Sequence, residues 1–343
     1  MTYTSEDLKI MQGWSLERKI KVTQTRIIEW YMHYGGNVYV SFSGGIDSLI
    51  LLDLARRIYP DIEAVFVNTT LEFPEIVEFV KTFKNVTILK PDLSYKQVIE
   101  KYGYPVISKE QSEYIHRMQA YERCQKAYKD GIHLKPTEWI RDNFYDIPFS
   151  FLKCLFGFSH QNKENFITTG ELPKSRYCIS KKWWYLVVAP FKINNACCKQ
   201  LKIKPIRAFE NKSGKKQIVG TMTEESLLRR QKWLQKGCNA FESKMPKSQP
   251  LSFWTRQNIL EYLKITGIPY ASVYGEIKTD ESGRLYTTQY QRTGCMGCLY
   301  GCHLEGEPNR LQLLKKTHPI IYQYLFEKLD YKTICDYIGI AYE

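Results

Sequence analysis

The chain is 343 residues long, 43% hydrophobic and 25% charged, and 49 Lys and Arg against 36 Asp and Glu leave it a net charge of +13. This composition excludes a disordered, collagen-like or coiled-coil chain, and no apolar run reaches the ~18 residues of a membrane span. At roughly 150 residues per domain the length fits two domains, or one domain with an elaboration.

In chain order, the opening Met-Thr-Tyr-Thr-Ser-Glu-Asp has neither the basic nor the apolar region of a secretory leader, which predicts a cytoplasmic protein. Residues 15–34 carry helical amphipathic spacing, with Ser15 to cap the helix, Arg18 in place of a capping-box acid, and Gly35-Gly36 to end it. Residues 38–42 predict a β-branched and aromatic strand, 43–48 a glycine turn, and 49–58 an apolar helix. A second strand is expected at 62–67, a helix begun by Pro74 at 74–83, and a third strand at 86–89. Strands alternating with helices predict an α/β fold: a doubly wound parallel sheet with helices on both faces.

Residues 105–180 lose this rhythm and predict a helical insertion or lid, with one long helix at 109–129. A strand is then expected at 183–191, a short one at 217–220, a helix from Thr223, and a helix at 254–266 ended by Gly267. The last stretch reads as mostly helical, with Pro319 starting a helix. The predicted division is 1–104 and 181–275 for the α/β part, 105–180 for the insertion, and 276–343 for a Cys-x-x-Cys segment with a helical C-terminus.

The turn Ser43-Gly44-Gly45-Ile46-Asp47-Ser48 sits between a strand and a helix. Two glycines let backbone N–H groups converge on an anion, and the following helix adds its positive end. Ser43 and Ser48 bring hydroxyls. A Walker lysine is missing, so this is another kind of phosphate loop. Asp47 would repel a phosphate unless it caps the helix or holds Mg²⁺.

Between residues 199 and 247, 13 Lys and Arg stand against 4 Glu, a net +9. Such a zone suits a polyanion, or is a solvated surface. Of ten cysteines, Cys124, Cys154, Cys178, Cys238 and Cys335 stand alone, as buried cysteines often do. Cys197-Cys198 and Cys295-x-x-Cys298-x-x-x-Cys302 are grouped, and in a reducing compartment groups point to metal or redox chemistry. Cys302 can be a ligand in place of Cys197, a sulfur-carrying catalytic thiol, or a simple buried cysteine.

The 43–48 loop resembles the SGGxDS pyrophosphate loop of the ATP-pyrophosphatase (PP-loop) superfamily. The rest of the chain resembles one branch, the phosphoadenosine phosphosulfate (PAPS) reductase family. Asn68-Thr69-Thr70-Leu71-Glu72-Phe73-Pro74 is similar to its segment after the second strand, and Cys197-Cys198-Lys199-Gln200-Leu201-Lys202 to its Cys-Cys motif. Residues 220–229 resemble its Gly-x-Arg-x-x-x-Ser-x-x-Arg motif, residues 250–254 and 268–270 its next block, and Gly294-Cys295-Met296-Gly297-Cys298 its closing motif. Several positions depart from the family pattern. Asn68 stands where the family often has Asp, and Met222 where it often has Arg. No Glu-Cys-Gly-Leu-His tail with the reductase nucleophile is found, and the intact SGGxDS is closer to the ATP-cleaving members.

The resemblance implies that Ser43, Gly44, Gly45, Asp47 and Ser48 hold phosphates, and that Asn68, Thr69, Phe73 and Gly220 line the nucleotide pocket. Arg229 would bind a terminal phosphate or sulfate. It implies a [4Fe–4S] cluster on Cys197, Cys198, Cys295 and Cys298, with zinc or no metal as alternatives. The expected activity is ATP-dependent, adenylating sulfur transfer with Mg²⁺, with Asp47 and Cys302 as the catalytic residues. Expected partners are an adenine nucleotide, a sulfur donor or thiol reductant protein, and a nucleic-acid acceptor, with no membrane. One alternative is a true reductase of PAPS or adenylylsulfate that releases sulfite. Another is a zinc-containing nucleic-acid-binding protein with a vestigial nucleotide site.

Overall fold

The computed structural model describes residues 3–143 and 145–343. The chain divides into two units, Met1–Asp92 with Leu201–Met296, and Leu93–Gln200 with Gly297–Glu343.

In the first unit, helices Ser5–Gln12 (α1) and Leu16–His33 (α2) precede the strand Val38–Ser41 (β1). Helix Ile46–Arg56 (α3), strand Ala64–Val67 (β2), helix Pro74–Lys81 (α4) and strand Val86–Leu89 (β3) follow. β1 lies parallel between β2 and the strand Lys216–Val219. The sheet continues outward from β2 to β3 on one side. On the other side, Lys216–Val219 pairs with Lys247–Ser248, whose antiparallel neighbour Asn239–Ala240 forms the edge. This mostly parallel α/β sheet matches the expected fold class. Val38, Tyr39 and Val40 are buried, as are nearly all apolar residues of α3, because a parallel strand covered on both faces needs apolar side chains on both.

Two large buried polar groups in this unit, Lys19 and the Trp254 indole, are paired. The Lys19 ammonium, 1% exposed, donates to the Gln12 carbonyl at 2.7 Å and to Asn258 Oδ1 at 2.6 Å. The Trp254 indole N–H donates to Thr23 Oγ1 at 2.9 Å. Helix Arg256–Thr266 opens with a Thr255–Asn258 capping box and ends on Gly267 in the left-handed conformation, as expected for that segment.

The second unit is mainly helical, with a short parallel pair joining Val106–Ile107 to Leu299–Tyr300. Two local expectations fail here. The predicted strand at 183–191 is a 3₁₀ helix, Lys181–Val188. Trp183, Trp184, Leu186 and Val187 are all buried, so the run has no strand-like alternation, and the Trp184 indole N–H donates to the Ile179 carbonyl at 3.0 Å. The single helix expected at 109–129 is two, Lys109–Gln119 and Glu122–Lys129. The Gln119 amide group donates to the Leu186 and Phe191 carbonyls and accepts from the Ile193 N–H, while its own carbonyl accepts from the Gln125 side chain. These tertiary bonds hold the chain at the break.

Gly103 has φ +105°, and a Cβ there would stand 2.3 Å from the Lys192 carbonyl oxygen. That carbonyl accepts the Tyr104 N–H at 2.8 Å, so it has little freedom to move. Gly103→Ala is expected to destabilise the second unit by roughly 2–4 kcal/mol, through strain and overpacking together. A lowered urea midpoint checks this.

All ten cysteines are free thiols. Among the described residues no helix is long and apolar enough to cross a membrane.

Candidate nucleotide site

Three parallel neighbours set the frame of the site. Ser41 of β1 is in register with Val65 of β2 on one side and with Val219 on the other. The chain leaves β1 toward β2 and β3 and later returns to its opposite side. At such a reversal a crevice opens beyond the carboxyl ends of the strands. The 43–48 loop, the segment from Asn68 to Phe73, and Gly220 each follow one of these three strands, so the fold brings together motifs far apart in sequence.

The loop depends on its glycines. Gly44 has φ +72°, and a Cβ on it would lie 2.7 Å from Ile76 Cγ2 and 2.8 Å from Val80 Cγ2 of α4. A Cβ on Gly220 would lie 3.0 Å from the Asp47 carbonyl oxygen. Ser48 works inside the loop: its hydroxyl donates to the Gly45 carbonyl at 2.9 Å and accepts the Ser43 N–H at 3.1 Å. The Ser43 and Ser48 hydroxyl oxygens are 3.0 Å apart. The Ile46 N–H donates to the Tyr274 hydroxyl at 3.3 Å.

Gly45 is the cap residue of α3, and no side chain caps that helix. Asp47 therefore does not serve as a cap, and its carboxylate meets the Arg256 guanidinium at 3.4 Å. Burial raises the Asp47 pKa, while Arg256, Arg292 and Arg229 act in the opposite direction. Burial and the charge of Arg292 lower the pKa of Arg229. Arg229 and Arg292 both pair with Glu225, the latter at 3.5 Å. The sequence reading named Arg229 and did not name the other two. Arg256 closely follows Trp254, and Arg292 closely precedes Gly294-Cys295, so adjacency to family blocks was the available signal. Met222 is buried and brings no charge, so Arg256 and Arg292 supply the extra cations at this crevice.

Beyond β2, Asn68 Oδ1 accepts the Thr70 N–H at 2.9 Å, and Thr70 takes φ +68°. Thr69 is fully buried, with its N–H donating to Glu72 Oε2 at 2.7 Å and its hydroxyl donating to the same carboxylate. Glu72 also pairs with Lys202 at 3.4 Å. Asn68 and Thr69 thus shape the turn. Phe73 is buried against Tyr290, with ring centroids 4.6 Å apart, and lines a cleft with Ser43, Val65, Val67, Lys202 and Thr293. Apolar walls with a polar end suit a nucleoside beside a phosphate loop.

The basic zone is uneven. Lys202, Lys204 and Lys215 pair with Glu72, Asp92 and Glu63. On and beside helix Leu227–Lys236, burial and the charges of Lys232, Arg229 and Lys236 lower the pKa of Lys247, so cations concentrate there.

Cys197, Cys198 and Cys298 belong to the second unit, and Cys295 to the first. The Cys197 and Cys198 sulfurs are 4.0 Å apart. Burial, then Cys197, Cys198 and Cys298, hold the Tyr300 phenol pKa well above its ordinary value. The Tyr300 hydroxyl is buried beside the Cys197 thiol. Adjoining thiols beside a buried phenol suit a thiolate-ligated cluster, whose sulfurs accept hydrogen bonds from such donors. Among the described residues no three His, Cys, Asp or Glu side chains are gathered to hold a single metal ion. Cys302 is buried, which pushes its thiol up to about 11, and burial pushes Cys335 up to about 12.

A family profile described as "Phosphoadenosine phosphosulfate reductase domain" matches residues 37–139 and 173–300. Adenosine 5'-phosphosulfate reductase 1 of Bacillus subtilis (strain 168) is 33% identical over 84 residues, covering 22% of this chain and 36% of its own length. Adenosine 5'-phosphosulfate reductase of Staphylococcus haemolyticus is 34% identical over 84 residues, 22% of this chain and 35% of its own. The matched stretch thus spans about a third of the length of these curated relatives. The crystal structure of a phosphoadenylyl-sulfate reductase from Candida auris, a phosphate complex, aligns over 83% of this chain and 98% of that chain at 14% identity, with a TM-score of 0.37.

Proposed function

Because the chain belongs to the phosphoadenosine phosphosulfate reductase family, we propose that its 43–48 loop binds an adenine nucleotide and that the protein is a PP-loop enzyme of sulfur chemistry. It cleaves ATP to AMP and pyrophosphate, activating an acceptor for sulfur. The carrying observation is the partly buried carboxylate of Asp47, at the start of α3, paired with the Arg256 guanidinium at 3.4 Å. A carboxylate beside a phosphate cradle is useful when it holds the cation that travels with a triphosphate.

Gly44 and Gly45 keep the loop backbone open to phosphates, Ser43 and Ser48 hold its shape, and Gly220 lets the neighbouring strand end approach. Asp47 takes Mg²⁺, Arg229 a terminal phosphate, and Phe73 packs against the nucleoside over the turn made by Asn68 and Thr69. An acceptor oxygen attacks the α-phosphorus. The bond to the oxygen bridging α and β breaks, and pyrophosphate leaves with the electron pair. A sulfur nucleophile from a donor then attacks the acceptor carbon that bears the adenylated oxygen; the carbon–oxygen bond breaks, and AMP leaves with that oxygen and the electron pair. The cations around helix Leu227–Lys236 favour an anionic acceptor, a nucleic acid. Cys197, Cys198, Cys295 and Cys298 would hold a [4Fe–4S] cluster, which when bound supplies redox capacity and charge to the sulfur chemistry. Ten free thiols fit a reducing compartment, the cytoplasm.

The similarity to adenosine 5'-phosphosulfate reductases favours a second reading, release of sulfite from a sulfonucleotide with a thiol reductant protein. One experiment separates the two: pyrophosphate release from ATP, with and without DNA or tRNA, beside sulfite release from PAPS and adenylylsulfate with a dithiol. Pyrophosphate release is the expected result. Sulfite at ordinary enzymatic rates of roughly 1 s⁻¹ or faster, with no pyrophosphate under any condition, would establish the second reading.

A further inference from the structure

Arg256 and Arg292 have no place in the nucleotide roles assigned above, yet Arg256 is built firmly into the crevice and the more exposed Arg292 is held beside it by Glu225. Arg256 opens a helix, and its own N–H donates to Glu224 Oε2 at 2.7 Å. Its guanidinium donates to the Gln291 carbonyl and reaches Asp47, and its side chain is only 17% exposed. Arg292 is held by Glu225, which also holds Arg229. Two consecutive carboxylates, Glu224 and Glu225, therefore fix three guanidinium-bearing residues around one carboxylate.

The charges explain what such a site can accept. Three arginines are matched by Asp47, Glu224 and Glu225, so the crevice as it stands is close to neutral. A divalent cation on Asp47 changes this. It frees Arg256 from its ion pair and leaves about two positive charges in excess, beside guanidiniums shaped for bidentate phosphate contacts.

We propose that Arg256, together with Arg292, receives the pyrophosphate end of the nucleotide, and that Arg256 holds Asp47 until a divalent cation takes that carboxylate over. This rests on the ATP reading above and names the residues that make phosphate binding depend on the cation. Glu225 is a positioning residue, acting through Arg292 and Arg229.

The test uses the full chain. Calorimetry with inorganic pyrophosphate should show binding with Mg²⁺ and little without it. Arg256→Met and Arg292→Met should each weaken pyrophosphate binding by about tenfold or more while changing AMP binding less than about twofold. Mn²⁺ alone, followed by electron paramagnetic resonance, should bind Arg256→Met more tightly than the unaltered protein, because the competing guanidinium is gone. Arg256→Lys keeps the charge and should restore the weaker Mn²⁺ binding. Retained AMP binding reports that each variant is folded. Pyrophosphate binding unchanged in both methionine variants, or Mn²⁺ affinity unmoved in Arg256→Met, overturns the proposal. If AMP and ATP bind the unaltered protein in either case, only the arginine assignment falls. If neither nucleotide binds at all, the ATP reading falls with it.

Discussion

Asp47→Asn is expected to lower pyrophosphate release from ATP by roughly 10³-fold or more, the scale of losing a placed charge in a dry site. The substitution keeps the side-chain shape and leaves an amide oxygen to accept from Arg256, which sits 3.4 Å from the carboxylate. It removes the negative charge that would hold a cation. The protein should therefore stay folded, with an unchanged circular dichroism spectrum and a melting temperature within a few degrees of the original. That choice of residue matters, because alanine would leave a mostly buried guanidinium unpaired, a cost of about 3–5 kcal/mol. Near-normal pyrophosphate release by the folded asparagine variant would remove Asp47 from the chemistry.

The second large effect concerns the thiols. Protein purified without oxygen is expected to be brown and to contain iron and sulfide. Serine at Cys197, Cys198, Cys295 or Cys298 should each cost most of the bound iron, since a cluster rarely survives loss of a thiolate ligand. Cys124→Ser is the control: Cys124 is a buried thiol whose pKa is pushed up to about 12 by burial and by Cys154, as expected for an inert packing residue. Metal analysis and the visible spectrum give the answer. One equivalent of zinc without iron would refute the cluster.

How much of this was legible in the sequence depended on distance along the chain. β1, β2 and β3 are short apolar runs bounded by turns, and local pattern was enough to find them. The family motifs pointed to the 43–48 loop, Gly220 and Arg229, because spacing within each block survives in one dimension. Arg256 and Arg292 did not show, because an arginine gains its meaning here from a carboxylate more than 200 residues away in the first case and from Glu225 in the second. The stretch around Trp183 failed for a different reason. An apolar run of that length fits a strand or an enclosed helical turn equally well, and its enclosure by the rest of the unit, with the Trp184 bond to Ile179, is not written in local pattern. The break after Gln119 had no proline or glycine to announce it, since side-chain bonds to residues 186–193 hold it.

The pairing of β1 with Lys216–Val219 also sets a schedule. Ser41 waits for Val219, 178 positions later (219 − 41), before its second edge is closed. At about 5–20 residues per second of synthesis, that edge stays open for roughly 9–36 s. Residues 93–200, which belong to the other unit, emerge during that interval. An open edge of Val38, Tyr39 and Val40 is a template for pairing with another chain. Products cut short before residue 216 should therefore be found in the insoluble fraction, and the growing chain depends on whatever shields that edge on the ribosome.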